Sequence, residues 1–367
     1  MPKNAAAIVI GAGAAGLAAA GVLARGGVDV TILEARNRVG GRIHTVDTLD
    51  GKYAIELGAE FVHGGNRRLW SLIKTAGLHT EKVTSKRCLI RQNLRELIED
   101  MEIRIAQVMK SIGPENTGTF GEWLRQNETK VTKADRFLAA RYVEGFHAAP
   151  LDRMSAQTLF RATQQPDEEQ YRIVGGYGQI ITALQNEWPK ERVALELNAP
   201  VRSLVWSTSD VRIMLSDRIE WRARAVVITV PLGVLQLPKE NPRAIFFTSE
   251  LSGKLKTVNS FGWGKVVRIV IQFCDSFWDD AILPGDLRAH QGRDFGFVQS
   301  DISAFPIWWS LSPAPVLVGW SGGLDAEELI NYTAERTFEE ALGALCSLFG
   351  CAGTELSSRI VEWQTYN

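Results

Sequence analysis

The residues near the amino terminus that are best suited to chemistry are glycines, which bind through the backbone rather than through side chains. Residues 8–21 read IVIGAGAAGLAAAG and contain the spacing GxGxxG. The first glycine permits a tight turn, the second lets a pyrophosphate approach the backbone, and the third allows close packing of a helix on a strand. The free N–H groups at the helix start then face the phosphate charge. The spacing predicts a dinucleotide site at Gly11, Ala12, Gly13, Ala14, Ala15 and Gly16.

The elements around these glycines occur in the order that such a site requires. AIVI at 7–10 is typical of a strand buried on both faces, a helical stretch runs to Arg25, and VDVTIL at 28–33 predicts a second strand. Glu34 follows that strand, 18 residues after Gly16, where it would accept hydrogen bonds from a ribose. A glutamate here argues against a 2′-phosphate, so NAD and FAD both stay open, and a purely structural turn is the alternative.

The next residues favour FAD over NAD. EARNRVGGRIHT at 34–45 supplies a second Gly-Gly turn among arginines, and ELGAEFVHG at 56–64 supplies a third glycine at Gly58. An NAD domain would continue with alternating helices and strands, whereas repeated small residues suggest backbone that runs close along one long ligand. Arg42 could offset its phosphate charge. A surface loop with ordinary arginines is the competing interpretation.

Composition and charge exclude several other function classes. The net charge of −1 gives no field that would recruit nucleic acid or an anionic membrane. Four scattered cysteines show no metal-ligand spacing, which predicts a reduced, cytoplasmic protein without zinc or another metal. Residues 5–24 are uncharged and follow Lys3, as in an export signal, but they are mostly Ala and Gly, which insert poorly into membranes. We therefore expect no membrane partner.

Periodicity along the chain predicts two interleaved domains. Apolar residues at helical spacing over 92–112, and further helical stretches, indicate a mostly helical insertion at 80–170. Short strands from Val193 onward suggest an antiparallel meander that returns to the nucleotide-binding sheet, and 325–349 reads as one amphipathic helix. The predicted FAD-binding domain comprises 1–75 and 190–240, and the predicted substrate domain comprises 76–189 and 241–367.

Taken together, these motifs resemble the flavin-containing amine oxidases, which include monoamine oxidases, polyamine oxidases and relatives of the histone-demethylase type. The likeness continues through RIVGGYGQII, VVITVPLGVL, FGWGKVVRIVIQFCDSFW and PIWWSLSPAPVLVGWSGG, so it covers nearly the whole chain. It implies an α/β fold in which a Rossmann-like FAD-binding domain is interleaved with a substrate domain of antiparallel sheet and helices. It also implies cofactor contacts at Glu34, Ala35, Arg36, Gly40, Gly41, Arg42, Gly58, Ala59, Glu60 and Phe61, and a backbone contact to the adenine at Val201.

The resemblance also implies a reaction. FAD takes a hydride from the carbon beside an amine, the resulting imine is hydrolysed, and molecular oxygen restores the flavin with release of hydrogen peroxide. The polyamine-oxidase branch has a polar residue that faces the substrate channel at the position of His63, although an ordinary loop histidine is the alternative. Many members hold a water near the flavin with a lysine, and the alignment places Arg268 there instead. Arginine keeps the charge but does not readily release a proton. A side chain that merely extends from its strand to solvent is the competing role.

The chain stops at RIVEWQTYN, whereas the family continues with a segment that closes over the flavin. This predicts a truncated chain that lacks the carboxyl-terminal FAD-closing segment and retains FAD less well. Two alternatives to an active amine oxidase follow. One is an inactive flavin-binding remnant, and the other is a related FAD-dependent desaturase or protoporphyrinogen-type oxidase.

Overall fold

The structure is a computed structural model that describes residues 2–83, 87–91, 94–97, 100–164, 169–248, 251–279, 296–302 and 304–366. Its contacts divide the chain into two compact units. The first unit comprises Met1–Val46, Gly58–Glu81 and Tyr171–Trp263, and the second comprises Asp47–Leu57, Lys82–Gln170 and Gly264–Asn367. Residues 171–189 and 241–263 thus lie with the amino-terminal strands, whereas the sequence analysis grouped them with the substrate domain. Which unit binds cofactor and which binds substrate stays a prediction.

The strands of the described chain are, in order, β1 (Lys3–Ile10), β2 (Val30–Leu33), β3 (Thr45–Asp47), β4 (Ala54–Glu56), β5 (Phe61–His63), β6 (Thr80–Lys82), β7 (Arg87–Arg91), β8 (Leu94–Leu97), β9 (Gln170–Ile173), β10 (Val193–Glu196), β11 (Val201–Trp206), β12 (Val211–Leu215), β13 (Glu220–Ile228), β14 (Phe246–Phe247), β15 (Val266–Phe273), β16 (Phe297–Ser300), β17 (Ile307–Ser310), β18 (Val316–Gly322) and β19 (Ile360–Tyr366).

The helices of the described chain are α1 (Ala14–Arg25), α2 (Arg67–Thr75), α3 (Met101–Ser111), α4 (Phe120–Gln126), α5 (Lys133–Phe146), α6 (Ala156–Ala162), α7 (Gln179–Asn186), α8 (Leu232–Leu235), α9 (Ser252–Ser260), α10 (Leu324–Leu329), α11 (Ala334–Phe349) and α12 (Gly353–Ser358). Among them, none is long and apolar enough to cross a bilayer.

A mixed sheet forms the framework of the first unit, with strand order β10-β2-β1-β13-β12-β11-β14. β10, β2, β1 and β13 run parallel to one another, and β11, β12 and β13 form an antiparallel meander. The carboxyl-terminal half of β1 is buried because both faces of the sheet are covered, which explains its continuous apolar sequence. The carboxyl ends of β1 and β2 therefore meet at one edge of the sheet, where Gly11 and Glu34 begin the next segments.

One helix connects the two central parallel strands of this unit. α1 is rich in alanine and buries Leu17, Ala20 and Ala24 against the sheet, and it ends at Gly26. Leu17 shares an apolar cluster with Ile180, Ile181 and Leu184 of α7. This packing is the reason that 171–189 belongs to the first unit.

The second unit is built on a separate sheet with strand order β19-β15-β18-β17-β16-β7-β8. The strands from β19 to β16 pair antiparallel, and β16 and β7 pair parallel. α10, α11 and α12 contribute to a core with β15 and β18, whereas α3 to α6 form their own apolar cluster. β15 is an interior strand of this sheet, between β19 and β18, and is almost fully buried.

Three local predictions from the sequence are wrong. Leu94–Leu97 is a strand that pairs with β7, and the predicted helix begins only at Met101. The spacing of the apolar residues is compatible with a helix or a strand, and here the pairing with β7 decides for the strand. Residues 325–349 form two helices, since Thr333 accepts a hydrogen bond from the Arg336 N–H and so caps a new helix. Finally, β10 pairs parallel with β2 and lies outside the antiparallel meander.

Candidate functional site

The turn after β1 is shaped by two glycines that the protein itself requires. Gly11 has φ of +101°, which L-residues with a side chain rarely adopt. A Cβ on Gly16 would lie 1.9 Å from the carbonyl oxygen of Gly11 and 2.8 Å from Oγ1 of Thr229. The Thr229 hydroxyl donates to the carbonyl of Ile10 at 2.8 Å, so it fastens the end of β13 to this turn. Gly11 and Gly16 are therefore needed for the turn to fold.

Gly13 differs, because nothing in the described protein requires a glycine there. Its φ is −76°, and a Cβ would meet no atom nearer than the Gly40 carbonyl oxygen at 3.9 Å. Gly13 also caps α1 without a side-chain hydrogen bond, and the first N–H groups of a helix have no intrahelical acceptor. Ala14 is partly buried and Ala15 exposed in that first turn. The space beside Gly13 is what a pyrophosphate on a helix amino terminus occupies.

Glu34 lies beside this turn and is held from two directions. Its side chain is buried at 7% exposure. Oε2 accepts a hydrogen bond of 2.7 Å from the Ala12 N–H, and Oε1 accepts one of 2.9 Å from the Arg36 N–H. Each carboxylate oxygen keeps a further lone pair, so the carboxylate can still accept from ribose hydroxyls. The fixed orientation fits the ribose-binding role predicted from the sequence.

The segment from the end of β10 to the start of β11 runs along the same edge. The Glu34 N–H donates to the Glu196 carbonyl at 2.9 Å, and the Ala199 N–H donates to the Glu34 carbonyl at 2.8 Å. Val201 begins β11 two residues later, and its side chain is 8% exposed within an apolar cluster. The side chain of Val201 is therefore part of the core, and its predicted adenine contact would use the backbone alone.

The second glycine turn is attached directly to the first. The Gly40 N–H donates to the Ala12 carbonyl at 2.8 Å, and a Cβ on Gly41 would approach the Gly13 Cα to 3.3 Å. Arg36 and Arg38 both donate to the Gly41 carbonyl, at 3.2 and 3.0 Å. Ala35, beside them, is exposed. The sequence analysis counted Arg36 among the cofactor contacts, and the structure shows that its guanidinium also braces this loop.

Arg42 and the third glycine segment form the next part of the site. The Ala59 N–H donates to the Arg42 carbonyl at 3.0 Å, and a Cβ on Gly58 would lie 1.9 Å from that carbonyl oxygen. The Arg42 guanidinium is exposed, lies 5.6 Å from the ring centre of Trp263, and has no carboxylate partner among the described residues. It thus offers a positive charge that a phosphate can use.

Glu60 and Phe61 are held by one arginine from β9. Glu60 is buried, and its Oε1 accepts from Arg172 Nε at 2.8 Å. The same guanidinium lies 5.1 Å from the ring centre of Phe61. His63, two residues on, is exposed and lies edge-on to Phe61 with 6.0 Å between ring centres. Glu60 is therefore engaged in positioning its own segment.

His44 stands within the arginine-rich loop as a neutral group. Burial lowers its pKa below the usual value, and the positive charges of Arg38 and then Arg36 lower it further. The positive charge of this loop therefore comes from its arginines and not from His44.

Arg268 belongs to the second unit and is 3% exposed on β15. Its guanidinium lies 5.3 Å from the ring centre of Trp309, and the strand register places Trp320 and Tyr366 opposite it on the two neighbouring strands. This burial rules out the alternative in which the side chain merely extends to solvent. Arg268 is a fixed, buried cation among aromatic residues.

Three residues of the site were missed from the sequence, namely Thr229, Arg172 and Trp263. Thr229 had a usable signal, since it directly follows an apolar strand that was expected to lie in the nucleotide-binding sheet. Arg172 and Trp263 had none, because their partners are recognised only through tertiary contacts. Within the described ranges, no group of three or more His, Cys, Asp or Glu residues is arranged to hold a metal ion.

Comparisons with known proteins agree with this geometry. A family profile described as "Flavin containing amine oxidoreductase" matches residues 14–367. Lysine-specific histone demethylase 2 of Homo sapiens is 28% identical over 95% of this chain, and Polyamine oxidase 5 of Oryza sativa subsp. japonica is 24% identical over 98%. The chain covers 44% of the demethylase and 75% of the polyamine oxidase.

A solved structure has the same fold. Putrescine oxidase, described as wild type bound to putrescine, superposes with a TM-score of 0.75 at 19% sequence identity, covering 100% of this chain and 85% of that one. The fold match confirms the α/β class predicted from the sequence, and the family match confirms FAD as the cofactor.

Proposed function

This chain belongs to the flavin-containing amine oxidoreductase family, and we propose that it oxidises the C–N bond of an amine to an imine with bound FAD. The chain spans about half the length of several curated relatives it matches, 44% in the human example. The substrate is proposed as a primary or secondary amine, an amino acid or a polyamine, with molecular oxygen as the electron acceptor.

The observation that carries this proposal is the open space at Gly13. No described protein atom explains the missing side chain, and this space, unlike that at other open glycines such as Gly253, is bordered by the first turn of α1 and by the turn that Glu34 holds, which supports a ligand there. A pyrophosphate beside Gly13 and a ribose at Glu34 together match one dinucleotide. The residues present therefore fit FAD.

When bound, FAD supplies the oxidising power by accepting the hydride equivalent from the substrate and passing it to oxygen as hydrogen peroxide. The protein contributes binding and electrostatics. The backbone at Gly11–Gly16 holds the pyrophosphate, and the Arg42 guanidinium offsets its charge. Gly40, Gly41, Gly58, Ala59 and Phe61 provide backbone that can approach the ligand closely.

For Arg268 we propose a role in orienting a water molecule near the reacting carbon. Its burial and its position over Trp309 fix the guanidinium, so that the planar N–H donors point in constant directions. For His63 we propose contact with the amine substrate, since its exposed ring is the candidate polar group that follows the third glycine segment.

A second function is favoured by one observation, the arginine at position 268. Many family members carry a lysine there, and arginine cannot release its proton readily. A protein that binds FAD without oxidising amines would retain all the contacts around Gly13 and Glu34.

The cytoplasmic location inferred from cysteine usage stays a prediction.

The two functions are separated by one experiment. The purified chain is supplied with excess FAD, freed of unbound cofactor, and mixed without oxygen with putrescine, spermidine, a primary monoamine and a methylated lysine peptide. Loss of the oxidised-flavin absorbance with any of these amines supports oxidation. Retained FAD that no amine reduces supports the binding protein, and failure to bind FAD overturns both.

A further inference from the structure

Two cysteines of the second unit meet at the carboxyl end of α11. Cys346 lies in the last turn of this helix and Cys351 follows Gly350. Gly350 has φ of +67°, and its N–H donates to the Cys346 carbonyl at 2.8 Å. This is a left-handed glycine cap, which turns the chain back after the last turn of α11. The Cys351 thiol lies within hydrogen-bonding reach of the Cys346 thiol.

The contact between the two side chains is evident in their surroundings. Both are half-buried free thiols packed against the apolar core of the second unit. Burial raises the pKa of Cys351 above its usual value, and the neighbouring Cys346 thiol is the next cause, followed by Glu355 of α12. Such a cap usually joins two inert apolar side chains. Here it joins the two groups that can form a covalent bond with each other.

We propose that Cys346 and Cys351 form a reversible thiol–disulfide pair that is oxidised by hydroperoxides. The thiolate of Cys346 attacks one peroxide oxygen, the O–O bond breaks, and a sulfenic acid forms at Cys346 as water leaves. The Cys351 thiolate then attacks that sulfur and displaces a second water. In total, two thiols and one hydrogen peroxide give one disulfide and two waters.

We assign the second step to Cys351. Its half-buried position and raised pKa suit a thiol that resolves the sulfenic acid rather than one that attacks peroxide first. The titratable groups that face the Cys351 thiol are the Cys346 thiol from α11 and Glu355 from α12. Both raise the pKa of Cys351. The reaction is therefore faster in mildly alkaline buffer than at neutral pH.

The disulfide would connect the last turn of α11 to Cys351, two residues before α12 begins. Its loop is short, so the bond restrains the helix cap rather than a distant part of the fold. The inference is independent of the proposed function, because the peroxide is added as a reagent and no flavin or amine is needed.

Trypsin digestion followed by mass spectrometry measures the oxidation state of this cysteine pair. The peptide 337–359, TFEEALGALCSLFGCAGTELSSR, contains Cys346 and Cys351 and no other cysteine. The full chain is reduced, freed of reductant, treated with hydrogen peroxide at pH 8.5, blocked with iodoacetamide, and digested. The expected peptide is lighter by two hydrogens and carries no alkyl group, and it regains two alkyl groups after dithiothreitol.

Variants decide between this pair and unspecific oxidation. Cys274→Ser removes an exposed thiol and should leave the intramolecular bond unchanged. Cys351→Ser should abolish it and leave Cys346 as sulfenic or sulfinic acid. A peptide from the unmodified chain that keeps two alkylatable thiols while Cys274 is oxidised would overturn the proposal. So would crosslinking of either residue to Cys88 or Cys274 in place of the internal bond.

Discussion

The Ala12 N–H donates a hydrogen bond of 2.7 Å to Oε2 of Glu34, so the glycine turn after β1 and the end of β2 are locked together. The other carboxylate oxygen accepts from Arg36 at 2.9 Å. One buried carboxylate therefore shapes the turn, and we propose that its remaining lone pairs bind a ribose. This double use explains why an acid at this position matters even before cofactor binds.

Glu34→Gln should weaken both the fold and FAD binding. The amide presents one N–H₂ where an oxygen stood, so one buried N–H donor loses its acceptor, which costs about 1–3 kcal/mol. Urea unfolding of the apoprotein measures the first effect and a fluorescence titration with FAD the second. Glu240→Gln, at an exposed position, is the matched control. If Glu34→Gln unfolds at the wild-type urea concentration, the hydrogen bonds from Ala12 and Arg36 contribute nothing.

Gly16→Ala should destabilise the protein whether or not FAD is present. Its Cβ would collide with the Gly11 carbonyl oxygen at 1.9 Å, and the backbone shift costs about 1–3 kcal/mol or more. Gly343→Ala serves as control, since a Cβ there meets no atom within 4 Å and should stabilise α11 by about 0.5–1 kcal/mol. Equal stabilities for the two variants would contradict the close packing of α1 on the turn.

His147 should make stability fall in mild acid. Burial lowers its pKa below the usual 6.5, so the unfolded chain binds the proton more readily than the folded one. The contribution of neutral His147 to the free energy of unfolding is complete above about pH 6.5. It is lost as the pH falls toward the lower pKa of the folded state, and the free energy of unfolding then changes by at most about 1.4 kcal/mol per pH unit.

The test compares urea unfolding of the wild type and His147→Gln between about pH 8 and pH 5. The difference between the two proteins isolates the histidine from Glu144 and Asp325, whose pKa values burial raises and which act in the opposite direction. His79→Gln is the control. A wild-type curve parallel to that of His147→Gln would show that His147 does not titrate with an altered pKa.

Arg268→Lys should raise amine turnover in air-saturated buffer by about tenfold or more, because lysine can release a proton where arginine cannot. Peroxide release in a coupled assay measures it. Lys265→Arg, at an exposed position just before β15, should leave turnover unchanged. An unaltered rate in Arg268→Lys would remove this position from the mechanism.

Much of the geometry of the candidate cofactor site could be predicted because its signals are local. The glycines, α1 and Glu34 lie within one short stretch in which strand, turn and helix follow each other directly. The supports could not be predicted in the same way. Arg172 reaches Glu60 across 112 positions, so only the tertiary fold reveals this contact. Thr229 reaches Gly11 across 218 positions, and the apolar strand before it was its only signal in the sequence.

Secondary structure failed where one pattern fits two structures. Leu94 and Leu97 satisfy helical spacing, yet pairing with β7 makes their segment a strand. The role of Gly13 shows the opposite case. The sequence showed Gly13 as part of the glycine motif, but only the structure distinguishes its role from that of Gly11 and Gly16. The turn needs Gly11 and Gly16 in order to fold, whereas it does not need Gly13.

The opening at Gly13 is tested most directly by the FAD dissociation constant of Gly13→Ala, with Gly253→Ala, whose Cβ would meet no atom within 4 Å, as a control. Gly13→Ala should lower the urea midpoint slightly, because alanine is a poorer N-cap than glycine, and Gly253→Ala, which lies within α9, should raise it slightly. Gly13→Ala should bind FAD about 10- to 100-fold more weakly, since its methyl group would intrude on the pyrophosphate at a cost of about 1–3 kcal/mol. Gly253→Ala should bind FAD as the wild type does. Wild-type FAD affinity in Gly13→Ala would contradict the assignment of this space to the cofactor.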